Sequence, residues 1–174
     1  MRLLMFVLLS AIGLQGQAQF SSAELQVNGL TCSMCSKATQ AQLETIDFID
    51  SIETDLVNTT YILHFEDNAQ ISADLIKRKV EDAGFSVGSL VLTANFENQE
   101  IENHYHHPFE NILYHFLEVD EQTLDGPTQL RIVDKGFISV KEYKIFRKVA
   151  ADYPCFESGK MEGADRVYHV TLKS

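Results

Sequence analysis

Between Glu24 and Leu92 the apolar residues keep changing period, and that succession limits the fold more than any other feature. Glu24-Leu25-Gln26-Val27-Asn28 alternates apolar and polar, the spacing of a strand with one buried face. Ser36 to Thr45 favours helix, with Ala38, Ala41 and Ile46 expected on its inner side. Ile52-Glu53-Thr54-Asp55-Leu56 alternates again, and Asn58-Thr59 reads as a turn. Tyr61, Leu63 and Phe65 then share one strand face, so these two strands are predicted to form a hairpin. A second helix follows. Ser72 can cap it, Asp74 sits in its first turn, and Ala73, Ile76, Val80 and Ala83 fall on one face. Gly84 ends it, and Phe85 to Leu92 reads as a last strand.

The order strand, helix, strand, strand, helix, strand predicts an α+β fold of the split βαβ, ferredoxin-like kind over residues 23–94. Such a sheet covers one face with two helices and leaves its first loop at an exposed edge. Residues 95–108 are polar and contain histidines, and are expected to be a linker. Beyond it, residues 109–174 are expected to form a small α+β domain of unassigned topology. Its expected elements are a strand over Ile112 to Val119, a turn at Leu124-Asp125-Gly126-Pro127, and one or two strands between Gln129 and Ile138. A helix over Val140 to Tyr153 and a final strand over Val167 to Leu172 complete it.

The chain opens with Met1-Arg2 and an apolar run from Leu3 to Leu14. That run is shorter than the roughly 20 residues a membrane helix needs. Gly16-Gln17-Ala18 supplies small residues at a cleavage position, so residues 1–18 are expected to be a signal peptide cut after Ala18. The mature chain is then exported, periplasmic or secreted, with no membrane span. The full sequence has a net charge of −11, which argues against nucleic acid as a partner. With 45% apolar and 22% charged residues it can build a packed core, and three cysteines are too few for a disulfide scaffold. No Gly-x-Ser-x-Gly, phosphate loop or His-Glu-x-x-His occurs, and no enzyme chemistry is expected.

Chemistry concentrates at Thr31-Cys32-Ser33-Met34-Cys35-Ser36, two thiols three positions apart on a loop that enters a helix. A helix N-terminus favours thiolate, and this spacing lets both sulfurs converge on one ion. Two soft thiolates suit Cu(I), with Zn(II) or Hg(II) as alternatives. The same pair is compatible with thiol–disulfide exchange, with a structural disulfide, or with a scaffold whose partner-binding role lies elsewhere.

The run Gly29-Leu30-Thr31-Cys32-Ser33-Met34-Cys35 resembles the GMTCxxC motif of heavy-metal-associated domains. These occur in copper chaperones, copper-transporting ATPases and mercury-binding proteins. Ala83-Gly84-Phe85 resembles the family's sequence after the second helix, and the resemblance covers residues 23–94. It implies that Cys32 and Cys35 are metal ligands and that Phe85 packs over the site. It also implies metal carriage or sequestration, with a metal-transporting membrane protein or a second copy of the chain as partner. Leu30 stands where the family usually has a Met that props the loop, and Leu fills similar volume.

His104, His106 and His107 form a candidate second metal site. In an extended segment His104 and His106 share a side while His107 faces away. His115 is expected to pack rather than ligate. His64 and His169 are expected to face solvent, and Cys155 to be a buried, inert thiol rather than to pair between molecules or join metal binding.

Overall fold

A computed structural model of the protein describes residues 19–55, 57–109 and 112–173. The leader read in residues 1–18 lies outside them. The first six elements come in the expected order: β1 (Gln19–Asn28), α1 (Ser33–Leu43), β2 (Ile49–Asp55), β3 (Thr60–Phe65), α2 (Ala73–Asp82) and β4 (Ser86–Ile101). Their strands lie in the order β2-β3-β1-β4, each antiparallel to its neighbour. β3 separates β1 from β2, as a split βαβ unit requires.

Helix α2 forms as its sequence dictates. The Ser72 hydroxyl accepts from Leu75 N at 3.2 Å, while Ala73, Ile76 and Val80 face the core. Gly84 leaves the helix at φ +89°, a region that disfavours any side chain. Helix α1 departs from expectation. Ala38 and Ala41 are exposed, and Ser36, Thr39 and Leu43 are buried instead. The hydroxyls tolerate burial because they are bonded. Ser36 Oγ lies 2.8 Å from Tyr61 Oη, and Thr39 Oγ1 donates to Cys35 O at 3.2 Å.

Residues 95–101 are not a linker but the second half of β4. Leu92, Ala94 and Phe96 keep alternating inward, and a register shift between Phe96 and Gln99 returns Ile101 to the core. Asn95, Glu97 and Glu100 are the solvent face of the same strand. The remaining elements are β5 (His106–Phe109), β6 (Ile112–Phe116), β7 (Gln122–Ile132), α3 (Val140–Val149), α4 (Cys155–Ser158) and β8 (Arg166–Leu172). The turn expected at Leu124–Pro127 lies inside β7. Gly126, at φ +79°, sits opposite Phe96 beside the bulge, where a proline can follow without breaking the ladder.

Among the described residues the eight strands join one sheet in the order β2-β3-β1-β4-β7-β8-β6-β5, in which only β6 and β8 pair in parallel. One apolar cluster runs along it and takes in Leu25 and Leu92 as well as Phe116, Leu130 and Tyr168. A smaller cluster of Leu117, Val133, Ile138, Phe146, Ala150 and Phe156 lies under α3. The two expected domains are thus joined through β4 and β7 rather than by a tether.

A polar brace ties α2 to β8. Arg166 Nε donates to Asp74 Oδ2 at 2.8 Å, and the Tyr168 hydroxyl donates to the same oxygen at 3.2 Å. Burial alone would raise the Asp74 pKa, but Arg166, Lys77 and Tyr168 outweigh it and hold the carboxyl below its ordinary value. Burial pushes the Tyr168 phenol up to about 12.

Candidate metal centre

The loop between β1 and α1 turns at Gly29, whose φ of +91° costs glycine little and strains a residue with a Cβ. A Cβ built there would lie 3.5 Å from the Phe85 ring, so Phe85 packs directly against the loop. Leu30 is half-buried against the core. Cys32 is the N-cap of α1, with extended backbone at φ −149° and ψ 158°. Its sulfur accepts from Cys35 N at 3.2 Å, and its carbonyl accepts from Ser36 N at 3.2 Å. The Tyr61 hydroxyl donates to Ser36 O at 3.0 Å and clamps the first helical turn to β3 from below.

This geometry exposes Cys32 and half-buries Cys35, both as free thiols. The neighbouring Cys35 thiol, and then the Cys35 N–H that donates to the Cys32 sulfur, hold the Cys32 pKa below the ordinary value. Met34 is 71% exposed and stands apart from the pair. Among the described residues, no third His, Cys, Asp or Glu lies close enough to complete a cluster with Cys32 and Cys35. A shallow recess of about 230 Å³ opens beside them, lined by Leu30, Thr31, Cys32, Ser33, Ser36 and Thr59. The pair therefore offers one soft ion two donors and an open approach.

The histidines of the second candidate site are divided by the sheet. His104 occupies a turn at φ +65° and stacks on Tyr153 with ring centroids 4.3 Å apart. His106 on β5 lies opposite His115 on β6, with the rings stacked 4.0 Å apart. His107 points to the other face, edge-on to Phe96 at 5.4 Å, and its Nδ1 is buried without a partner. Burial lowers its pKa.

Two residues missed by sequence reasoning complete the His104–His106 side. His115 is fully buried, and Cys155 at the start of α4 places its sulfur 4.0 Å from His106 Nε2 and 3.9 Å from His115 Nδ1. Burial pushes the His115 pKa down to about 3, lowers that of His106, and raises that of the Cys155 thiol. His169 does not face solvent as expected. It is fully buried, opposite His115 in the parallel β6–β8 register, and bonded through Nδ1 to Asp134 Oδ1 at 2.9 Å. The signal for this row was the Tyr-His pair repeated as Tyr114-His115 and Tyr168-His169, each within an apolar strand. His64 stays partly exposed beside Glu53.

Residues 24–86 match the family model described as heavy-metal-associated domain. The copper chaperone CopZ of Staphylococcus aureus is 30% identical over 63 residues, which are 36% of this chain and 91% of the chaperone. A probable copper-exporting P-type ATPase of Archaeoglobus fulgidus is also 30% identical over 63 residues, but the match spans 8% of its length. A yeast copper transporter domain, Ccc2a, solved in apo and Cu(I)-loaded states, is 29% identical and covers 37% of this chain and 88% of its own, with a TM-score of 0.34.

Proposed function

The chain belongs to the heavy-metal-associated domain family through residues 24–86, and on that premise we propose that it is an exported carrier of a soft metal ion. Its cargo is Cu(I), held by Cys32 and Cys35, and it carries or sequesters the ion rather than transforming a substrate. The observation that carries this reading is the exposed two-thiol N-cap turn, which has no third donor beside it among the described residues. Zn(II) prefers four ligands in a closed site, whereas Cu(I) is content with two thiolates. Export rests on the leader pattern of residues 1–18.

The geometry also supports handover. An incoming thiolate from a partner adds to the two-coordinate ion. One of the two Cys–Cu bonds then breaks and that thiolate leaves. Cys32 is the first to leave, because it is the more exposed and its hydrogen bonds already stabilise the free thiolate. The partner is a protein presenting thiolates of its own, either a metal-transporting membrane protein or a second copy of the chain. Among the described residues no helix is long and apolar enough to cross a membrane.

Transfer kinetics test this reading. Protein from Gln19 to Ser174 loaded with one Cu(I) is mixed under anaerobic conditions with a chromophoric chelator and increasing free thiol. The transfer rate is expected to rise in proportion to thiol concentration. A chain that retains no Cu(I), or a rate indifferent to thiol, would overturn the carrier assignment.

A further inference from the structure

We propose that His106, His115 and Cys155 form a second metal site, separate from Cys32 and Cys35, that takes a borderline divalent ion of the Zn(II) kind. Their ligand atoms all lie within 4.8 Å of one another. A Zn(II) about 2.0 Å from nitrogen and 2.3 Å from sulfur separates tetrahedral ligands by about 3.5 Å. The two sulfur–nitrogen distances of 4.0 and 3.9 Å each lie within about 0.5 Å of that separation.

The hydrogen bonds around the cluster point the same way. His106 Nδ1 lies 3.1 Å from His104 O, a carbonyl that can only accept, so Nδ1 carries the proton. The lone pair of the neutral ring is then on Nε2, the atom that faces the Cys155 sulfur. His115 Nε2 is engaged by His104 Nδ1 at 3.2 Å, which leaves His115 Nδ1 facing the same sulfur. In metal sites the outer nitrogen of a histidine ligand is held in this way, which fixes the ring and frees the inner nitrogen. When His115 Nε2 donates to His104 Nδ1, both inner nitrogens turn lone pairs toward Cys155, and one S–H can donate to only one of them. A bound ion satisfies both rings and the sulfur at once, and the thiol proton is released to solvent.

A further buried nitrogen adjoins the cluster. The His169 ring stands edge-on to His115 with centroids 5.1 Å apart, and its Nε2 is buried without a partner while Asp134 engages Nδ1. Tyr153 covers His104 and His115, and half-exposed His106 gives the ion a way in. Two imidazoles and one thiolate are a borderline donor set, unlike the two thiolates of the first site. They leave a fourth position open for water or another ligand.

The test removes the first site. The Cys32→Ser/Cys35→Ser chain from Gln19 to Ser174 is titrated anaerobically with Co(II) and, against a chelator, with Zn(II). One equivalent is expected, with a sulfur-to-cobalt charge-transfer band and a rise in the unfolding temperature on adding Zn(II). Adding Cys155→Ser should abolish the band, and His106→Gln, which removes a direct ligand, should weaken Zn(II) binding roughly fiftyfold or more. Absence of both the band and the thermal shift in the parent would overturn the proposal whatever the variants do. So would a bound ion that survives both substitutions unchanged.

Discussion

Replacing Cys32 and Cys35 by Ser is expected to lower Cu(I) affinity by roughly a thousandfold or more without unfolding the chain. Four-ligand zinc sites bind with about 10–16 kcal/mol, or about 2.5–4 kcal/mol per ligand. Losing both donors of a two-ligand site removes at least twice that, and each 1.4 kcal/mol is about tenfold. Stability should hold for a local reason. Cys32 already serves as the N-cap of α1 by accepting from Cys35 N, and Ser is among the best N-cap residues. The competition titration is best made in a Cys155→Ser background, so that the buried cluster contributes no thiolate. An unchanged affinity would remove the cysteine pair from the account.

Asp134→Ala is expected to be the most destabilising polar substitution among those considered, at about 3–5 kcal/mol. Asp134 is 4% exposed and accepts from His169 N at 2.8 Å and His169 Nδ1 at 2.9 Å. It also lies 3.7 Å from the Arg166 guanidinium. Removing it leaves two buried donors of a fully buried residue unpaired, at about 1–3 kcal/mol each, and deprives Arg166 of one of its two carboxylates. For a chain of this size that is a drop of about 6–20 °C in the unfolding temperature. Asp134→Asn keeps one acceptor and should fall between. A shift below about 2 °C for the alanine variant would show that the Asp134–His169 pair adds little.

Helix α2 was legible in the sequence because every local cue agreed, from the Ser72 cap to the apolar face and Gly84. The inner face of α1 was not, because it is built from Ser36 and Thr39, whose hydroxyls become buriable only once Tyr61 and the Cys35 carbonyl are in place. The second half of β4 looked like a linker because its solvent face is acidic and amidic and a bulge breaks its alternation. His169 was misplaced by treating β8 as one-sided. β8 lies between β7 and β6, with Tyr168 and Val170 in the main core, and on the other side His169 meets Phe156 edge-on at 4.8 Å. The cysteine pair could be read directly because both ligands sit within one short motif. The cluster of His106, His115 and Cys155 joins positions separated by up to 49 residues, and only strand pairing brings them together.

The central claim is that the ion sits between Cys32 and Cys35. Copper-edge X-ray absorption on the native chain loaded with one equivalent of Cu(I) tests it most directly. Two sulfur neighbours and no imidazole scattering are the predicted result. Imidazole scattering around the copper would contradict it and place the ion at His106 and His115 instead.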